Sequence, residues 1–161
     1  MTEDLSDLYQ ELILDHSKRP HNFRKPANVN RQAEGNNPLC GDHYTIYLRM
    51  EGDKIADVGF DGAGCAISKA SASLLTETVK GKSKAEVKRL FDQVHDMVTT
   101  GNVAGNTVAA GSDRGASLGK LVALTGVHKF PARVKCAILS WHTLVAALES
   151  DGKVVTTEDE I

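Results

Sequence analysis

The chain has 161 residues, a length that suits one domain and allows a sufficient core without a metal or a disulfide as a staple. Its 19 basic and 21 acidic residues are interspersed, so the sequence lacks the basic stripe that binds nucleic acid. The acidic start of the chain and the absence of a long apolar run predict a cytoplasmic protein without a membrane partner.

The first half of the sequence predicts one helix, a long loop and a β-hairpin. Apolar residues recur at helical spacing from Leu5 to His16, and Pro20 ends that pattern. The following region, rich in proline, asparagine and charge, predicts a loop with one short strand near residues 27–33. Alternation then predicts two strands around a turn, whose inward residues are Tyr44, Ile46, Leu48 and Met50 in the first strand and Ala56, Val58 and Phe60 in the second.

Two helices are predicted after the hairpin. A helical stripe begins after Gly64, and Gly81 is placed to end it. Ser83 then begins a capping-box pattern, and the apolar residues that follow it continue as the stripe of a further helix.

The last third of the sequence predicts a flexible excursion and one more long helix. Residues 99–119 are rich in glycine and predict a flexible insertion, closed by a short helix around residues 118–124. Pro131 suits the first turn of the last helix. The whole pattern predicts one α+β domain over residues 1–150, with a small antiparallel sheet of about three strands packed against several helices, and a polar C-terminal tail over residues 151–161.

Three cysteines and one aspartate are the candidate functional residues. Disulfides are rare in the cytosol and three cysteines do not pair fully, which favours metal binding or thiol chemistry. Cys40 and Asp42 are two residues apart at the start of a strand, so both side chains point to the same side. Cys65 and Cys136 lie near predicted helix N-termini, where partial positive charge favours a thiolate. Arg133 adds a cation on the same helical face as Cys136.

Three thiolates and one carboxylate satisfy a tetrahedral zinc ion, with Zn-S distances of about 2.3 Å. Because oxygen is a weaker ligand than sulfur for a thiophilic ion, such a site exchanges ligands more readily than a site of four cysteines. The same residues also suit an iron-sulfur cluster with one non-cysteine ligand. The residues therefore do not decide which metal binds. A single cysteine on its own is commonly a small buried apolar residue, which is the alternative to a metal ligand.

The histidines are expected to stay outside this site. His43 follows Asp42 in a strand and therefore points to the opposite side, whereas His128, close before Cys136, is the reserve ligand. The other histidines lie in segments without further candidate ligands and are expected to serve packing or solvent contact: His16, His21, His95 and His142. Trp141 lies on an apolar stripe and is expected in the core.

Three sequence blocks resemble the signature blocks of the IscU/NifU-N family. They are Asn-Pro-Leu-Cys-Gly-Asp at residues 37–42, Gly-Ala-Gly-Cys-Ala-Ile-Ser at 62–68, and the block at 130–141 that begins Phe-Pro-Ala-Arg-Val-Lys-Cys. Residues 8–20 match as well, so the resemblance covers nearly the whole chain. Members of the IscU branch carry a histidine immediately before the third cysteine, where this chain has Lys135. The lysine and the extra segment between the second and third cysteines are similar to the SufU branch.

The resemblance implies a zinc-dependent sulfurtransferase of iron-sulfur cluster assembly. Such a protein takes persulfide sulfur from a SufS-like, pyridoxal-phosphate cysteine desulfurase and passes it to downstream assembly machinery. By the match to the family motif, Cys40 is the sulfur acceptor, and Asp42, Cys65 and Cys136 keep the Zn²⁺ that all four residues bind. Arg133 is then placed to interact with the freed sulfur.

Two other interpretations use the same residues. In the first, the chain is an IscU-type scaffold that assembles a transient iron-sulfur cluster. In the second, it is a structural zinc domain that only contacts a partner. Metal content and desulfurase activity separate the three.

Overall fold

The computed structural model describes residues 2–38, 41–101, 119–149 and 154–156, and it confirms the predicted α+β fold. None of the helices in these ranges is long and apolar enough to cross a membrane. The elements in chain order are α1 (Thr2–Lys18), β1 (Arg31–Asn37), β2 (Asp42–Glu51), β3 (Lys54–Ala63), α2 (Ala66–Val79), α3 (Lys84–Thr100), a 3₁₀ segment (Gly119–Lys129), α4 (Pro131–Glu149) and β4 (Val154–Thr156).

The strands form one sheet in the order β3-β2-β1-β4. β1, β2 and β3 make the antiparallel arrangement that the sequence predicts, although the first strand begins at Arg31 and not near residue 27. β4 pairs in parallel with β1. Residues 154–156 therefore join the sheet instead of belonging to a polar tail over residues 151–161, and the rest of that segment lies outside the described residues.

One core position of the hairpin differs from the prediction. Strict alternation places Ala56 on the inner face, whereas Ile55 is the residue with 0% exposure and Ala56 is half-buried. The pairing explains this difference, because Arg49 faces Asp57 while the adjacent Met50 faces Ile55. Such a bulge inserts one extra residue and thereby changes the side of the strand on which the following residues lie.

Helices α2 and α4 cover the inner face of the sheet. α4 packs on β1 and β2, and α2 packs on β3 and on α4. The largest side chains between these layers, Trp141, Tyr44 and Phe60, are fully buried, as predicted for Trp141. The hydroxyl of Ser71 in α2 donates a hydrogen bond of 2.6 Å to the backbone oxygen of Ala137 in α4, in a buried position. This bond fixes the two helices that carry the cysteines relative to each other.

The start of α3 follows its predicted capping signal, while its end lies later than expected. Ser83 forms a complete capping box, and Gly101 ends the helix in the left-handed conformation with a φ of 84°. The helix therefore continues through Thr100, into the segment 99–119 that the sequence predicts as a flexible insertion. Residues 102–118 of that segment lie outside the described residues.

Two other helical segments are longer than predicted. α1 spans Thr2–Lys18, compared with the expected range from Leu5 to His16. The short helix expected around residues 118–124 is a 3₁₀ segment that reaches Lys129. Its side chains Leu121 and Leu124 are fully buried, so core packing supports the less regular hydrogen bonding of 3₁₀ turns.

We predict that Gly35→Ala destabilises the fold, because α4 approaches β1 closely at this position. A Cβ on Gly35 would lie 2.1 Å from Thr143 Oγ1 and 3.1 Å from Leu139 Cδ1. Overpacking of this kind lowers the free energy of unfolding by about 1–3 kcal/mol. The matched control is Gly126→Ala, because a Cβ there meets no atom within 4 Å. Chemical denaturation compares the two variants, and equal stabilities would contradict the close packing.

Candidate metal centre

Strand register brings the first and second candidate segments together. β2 begins at Asp42, which pairs with Asn37 at the end of β1, and the neighbouring His43 pairs with Ala63 at the end of β3. Gly62 has a φ of 128°, and a Cβ there would lie 2.1 Å from the backbone oxygen of His43, so this close approach requires glycine. The chain that leaves β3 therefore passes directly beside the start of β2.

Asp42 is buried and uses one of its two carboxylate oxygens within the protein. Its side chain is 1% exposed, and Oδ1 accepts a hydrogen bond of 3.0 Å from the backbone N–H of Cys65. Oδ2 is buried and has no hydrogen-bond partner among the described residues. A buried carboxylate oxygen without a partner is unfavourable, so this atom is suited to receive a cation.

Cys65 is the N-cap of α2 and is half-buried. Its sulfur accepts a hydrogen bond of 3.4 Å from the backbone N–H of Ser68, the role that an oxygen usually has at this position. The hydroxyl of Ser68 lies 3.7 Å from the same sulfur and 2.9 Å from the hydroxyl of Tyr44. The helix N-terminus and the Ser68 N–H together favour a negatively charged sulfur.

Cys136 lies in the second turn of α4 and is fully buried. The side-chain amide of Asn37, also fully buried, lies 3.9 Å from its sulfur, at the end of β1. The Cys136 sulfur also lies 3.8 Å from the backbone oxygen of Ala132, an alternative acceptor for the thiol. The third candidate segment is thereby joined to the strand end that pairs with Asp42.

Hydrogen bonding favours the thiolate form of Cys65. A hydrogen bond from the Cys136 thiol lowers the pKa of Cys65 to about 5, with a further contribution from the N–H of Ser68 and against the effect of burial, which raises it. Burial raises the pKa of the nearby Tyr44, so its phenol stays neutral. One ionised sulfur is therefore available at neutral pH, in the form that binds metals.

Ligand atoms of Asp42, Cys65 and Cys136 all lie within 4.8 Å of one another. Two sulfurs bound to one tetrahedral zinc ion at about 2.3 Å lie about 3.8 Å apart, so the cluster has the right dimensions. Its donor set and the unpartnered Asp42 Oδ2 both fit a thiophilic cation. Three of the four predicted metal ligands thus come together from three distant segments.

Gly64 leaves room for these atoms beside the ligand cluster. A Cβ on this residue would lie 2.5 Å from Asp42 Oδ1, 2.5 Å from Ser68 Oγ and 2.6 Å from the hydroxyl of Tyr44. Any side chain at position 64 would displace at least one of them. Tyr44 and Ser68 are members of the site that sequence reasoning missed, although the position of Ser68 three residues after an N-cap is a usable signal.

The two remaining predicted site residues are Cys40 and Arg133. Cys40, expected as a ligand and as the sulfur acceptor, lies outside the described residues. Arg133 is exposed in the first turn of α4, one helical turn before Cys136. Its role beside a freed sulfur stays a prediction.

The two histidines weighed as further ligands do not join the cluster. His43 is exposed and bonds to the side chain of Asn36, as expected for a residue that points away from Asp42. His128, the predicted reserve ligand, directs Nδ1 to the backbone oxygen of Thr125 at 2.8 Å.

A second cluster of possible ligands contradicts one expectation for the other histidines. His16 and His21 are expected to lie away from further ligands, but both converge with Glu77, with ligand atoms within 4.8 Å of one another. The prediction is wrong because Glu77 is distant in sequence and reaches them only through the packing of α1 on α2. By contrast, His142 has the expected packing role, since its ring lies 5.0 Å from that of Phe91 and burial lowers its pKa to about 4.

The sequence matches the model of the NifU-like N terminal domain over residues 8–137, so the chain belongs to this family. It is 38% identical over 156 residues to the iron-sulfur cluster assembly scaffold protein IscU of Streptococcus pyogenes serotype M1, across 97% of this chain and 92% of that protein. It is also 38% identical over 141 residues to the zinc-dependent sulfurtransferase SufU of Bacillus subtilis (strain 168), across 88% of this chain and 89% of that protein.

A solved structure has the same fold. The crystal structure of a candidate iron-sulfur cluster assembly scaffold protein for the SUF system, from Fervidobacterium islandicum AW-1, is similar with a TM-score of 0.76 and 37% identity. The match covers 86% of this chain and 95% of that one. The family predicted from the three signature blocks is therefore confirmed.

We predict that Cys65 of the metal-free protein reacts as a thiolate well below neutral pH. Its pKa is lowered to about 5, so its alkylation rate should rise with a midpoint near pH 5. Ionisation of Cys65 stabilises the fold, because its pKa is lower in the folded state. This contribution is fully present above the pKa of the unfolded state and is lost as the pH falls through the pKa of the folded state. Iodoacetamide labelling with peptide-resolved mass spectrometry measures the profile. In denaturant the midpoint should return to about 8.5, and a folded midpoint above 8 would contradict the prediction.

Proposed function

We propose that this protein is a zinc-dependent sulfurtransferase of iron-sulfur cluster assembly, which accepts persulfide sulfur from a pyridoxal-phosphate cysteine desulfurase. The convergence of Asp42, Cys65 and Cys136 is the observation that carries the proposal. Similarity to SufU of Bacillus subtilis, named as a zinc-dependent sulfurtransferase, supports the choice of metal and activity.

Asp42, Cys65 and Cys136 would hold Zn²⁺ together with Cys40. Cys40 precedes Asp42 by two residues, so chain length alone keeps their Cα atoms within about 7 Å. The bound ion supplies a positive charge that keeps its sulfur ligands ionised. The chain itself contributes the N–H of Ser68 at the sulfur of Cys65, the amide of Asn37 near Cys136 and the N–H of Cys65 at Asp42.

Cys40 is the proposed acceptor because the nearest described residues on either side of it are accessible. Pro38 and Gly41 are exposed, whereas Asp42 and Cys136 are buried. The Cys40 thiolate attacks the outer sulfur of the desulfurase persulfide and forms a new S–S bond. The old S–S bond breaks and its electron pair stays on the desulfurase cysteine, which leaves as a thiolate. No external oxidant or reductant is needed.

Arg133 is proposed to stabilise the sulfur that Cys40 receives. It is exposed in the first turn of α4 and precedes the half-buried Lys135. Both side chains are cations in the segment that carries Cys136, and a persulfide is an anion at neutral pH. Their positive charge therefore stabilises the anionic persulfide that Cys40 receives.

A scaffold for a transient iron-sulfur cluster is the second candidate function. It is favoured by the identity of 38% to IscU of Streptococcus pyogenes, which equals the identity to SufU. Thiolates with one carboxylate also suit iron. Protein purified without oxygen separates the candidates, since stoichiometric zinc without visible absorption supports the transferase and a labile iron-sulfur chromophore supports the scaffold.

We predict that Cys40→Ala abolishes the acceleration of a cognate cysteine desulfurase, because the variant lacks the attacking sulfur. Cysteine turnover to alanine is measured with the zinc-loaded wild type, the variant and wild type treated with a chelator. Only the zinc-loaded wild type should accelerate the reaction. A Cys40→Ala protein that retains zinc and gives full acceleration would refute the acceptor role.

We predict that Asp42→Ala weakens zinc binding, because the ion then keeps only the three proposed sulfur ligands. The fold should persist. Zinc affinity should fall by more than about 10-fold. This is the lower end of the cost of removing a residue that only supports a metal ligand, and Asp42 is proposed as a ligand itself. Titration against a competing chelator measures the affinity. Asp53→Ala, in the exposed turn between β2 and β3, is the matched control and should bind zinc like the wild type. Unchanged affinity in Asp42→Ala would exclude this carboxylate as a ligand.

A further inference from the structure

The second cluster of possible ligands lies where the end of α1, the loop after it and the last turn of α2 meet. It consists of His16, His21 and Glu77. Glu77 follows Cys65 by twelve residues, which corresponds to about 18 Å along α2, so the cluster is separate from the candidate metal centre. It takes no part in the proposed sulfur transfer.

His16 is buried and its ring orientation is fixed. Its side chain is 2% exposed, and Nδ1 lies 2.7 Å from Ser73 Oγ. When Nδ1 carries the proton and donates to this hydroxyl, Nε2 carries the lone pair and lies 3.6 Å from Glu77 Oε1. This distance is too long for a hydrogen bond, whereas neighbouring ligands of a tetrahedral ion at 2.0–2.1 Å lie about 3.4 Å apart. A second partner that fixes the other ring nitrogen is typical of a metal-binding histidine.

The loop that carries His21 is attached to α2 by its backbone. The N–H of His21 donates to Ser73 Oγ at 2.8 Å, and its backbone oxygen accepts from Thr76 Oγ1 at 3.3 Å. The next residue, Asn22, has a φ of 58° and donates to the same threonine oxygen at 3.0 Å. Both histidines are therefore oriented by α2, the helix that presents Glu77.

Glu77 lies in an environment that favours a cation. Oε1 lies 2.6 Å from His21 Nδ1, and Oε2 lies 3.8 Å from Nζ of the exposed Lys120. The carboxylate is in the last turn of α2, where the helix dipole is negative, so a further positive charge is stabilising. If His21 and Glu77 bound the same ion, His21 Nδ1 and Glu77 Oε1 would lie about 3.4 Å apart. Rotation of the partly exposed Glu77 side chain permits this separation.

We infer that His16, His21 and Glu77 form a second site, for a divalent transition-metal ion such as Zn²⁺ or Co²⁺. Two imidazole nitrogens and one carboxylate oxygen suit these ions, and three protein ligands leave at least one position for water or another ligand. His21 is 47% exposed, so an ion reaches the site from solvent.

Cobalt uptake by the full-length, reduced protein tests the inference. Co²⁺ bound to thiolates gives sulfur-to-metal charge-transfer absorption, whereas Co²⁺ bound to histidine and carboxylate does not. Equilibrium dialysis should show two bound equivalents in the wild type and one in His21→Gln and Glu77→Gln, with equal charge-transfer intensity in all three. His95→Gln is the matched control, since this histidine packs beside Phe91 and His142. Equal uptake by wild type and His21→Gln would overturn the second site.

Two variants that keep all three ligands separate metal binding from a purely structural role. Ser73→Ala removes the partner of His16 Nδ1 and should weaken the second equivalent by about 10–100-fold. Lys120→Gln removes the competing cation from Glu77 and should strengthen it. If the cluster only ties α1 to α2, both changes shift the thermal midpoint and leave the cobalt isotherm unchanged, and that result would overturn the inference. Loss of the charge-transfer band alone would instead contradict the candidate metal centre.

Discussion

The hydrogen bond from the backbone N–H of Cys65 to Asp42 Oδ1 joins the start of β2 to the start of α2 at 3.0 Å. It exists because the sheet register brings the end of β3 beside Asp42, and because Gly62 and Gly64 let two backbones and several polar atoms approach without a Cβ between them. The bond fixes one carboxylate oxygen, while the other is buried and has no hydrogen-bond partner within the described part of the chain. The relative position of Asp42 and Cys65 in the thiolate cluster depends on this contact.

Helix α2 carries a ligand of each cluster, one near each of its ends. The helix dipole therefore places positive potential at one cluster and negative potential at the other. Its N-terminus stabilises the ionised sulfur of Cys65, while its C-terminus places the carboxylate of Glu77 where the helix dipole is unfavourable for an anion. Nearby cations offset that unfavourable interaction, and Lys120 is one of them in the structure. The buried bond from Ser71 to α4 holds the same helix against the segment that carries Cys136. One rigid element thus orients ligands at both of its ends.

The sequence predicts well those features that depend on local patterns. Glycines before Cys65 and the capping signal at Ser83 mark helix starts, because both act within one turn of the chain. The burial of Ile55 instead of Ala56 is not predictable in this way, since the bulge arises from pairing with β2. Contacts between distant segments, such as Tyr44 with Ser68, require the packed fold. The three signature blocks identify the family and cover the thiolate site, whereas His21 and Glu77 of the second cluster lie outside them.

Burial and charge together explain which sulfur of the proposed zinc site is suited to leave it. Three thiolates and one carboxylate carry four negative charges against two on Zn²⁺, so an excess of negative charge remains in a partly dry environment. Asp42 and Cys136 are buried, and a buried charge that loses its partner is destabilised by several kcal/mol. Cys65 keeps the Ser68 N–H and the helix N-terminus as partners. Pro38 and Gly41, the described residues nearest to the proposed ligand Cys40, are exposed, so we propose that Cys40 is the ligand whose departure reduces the excess charge.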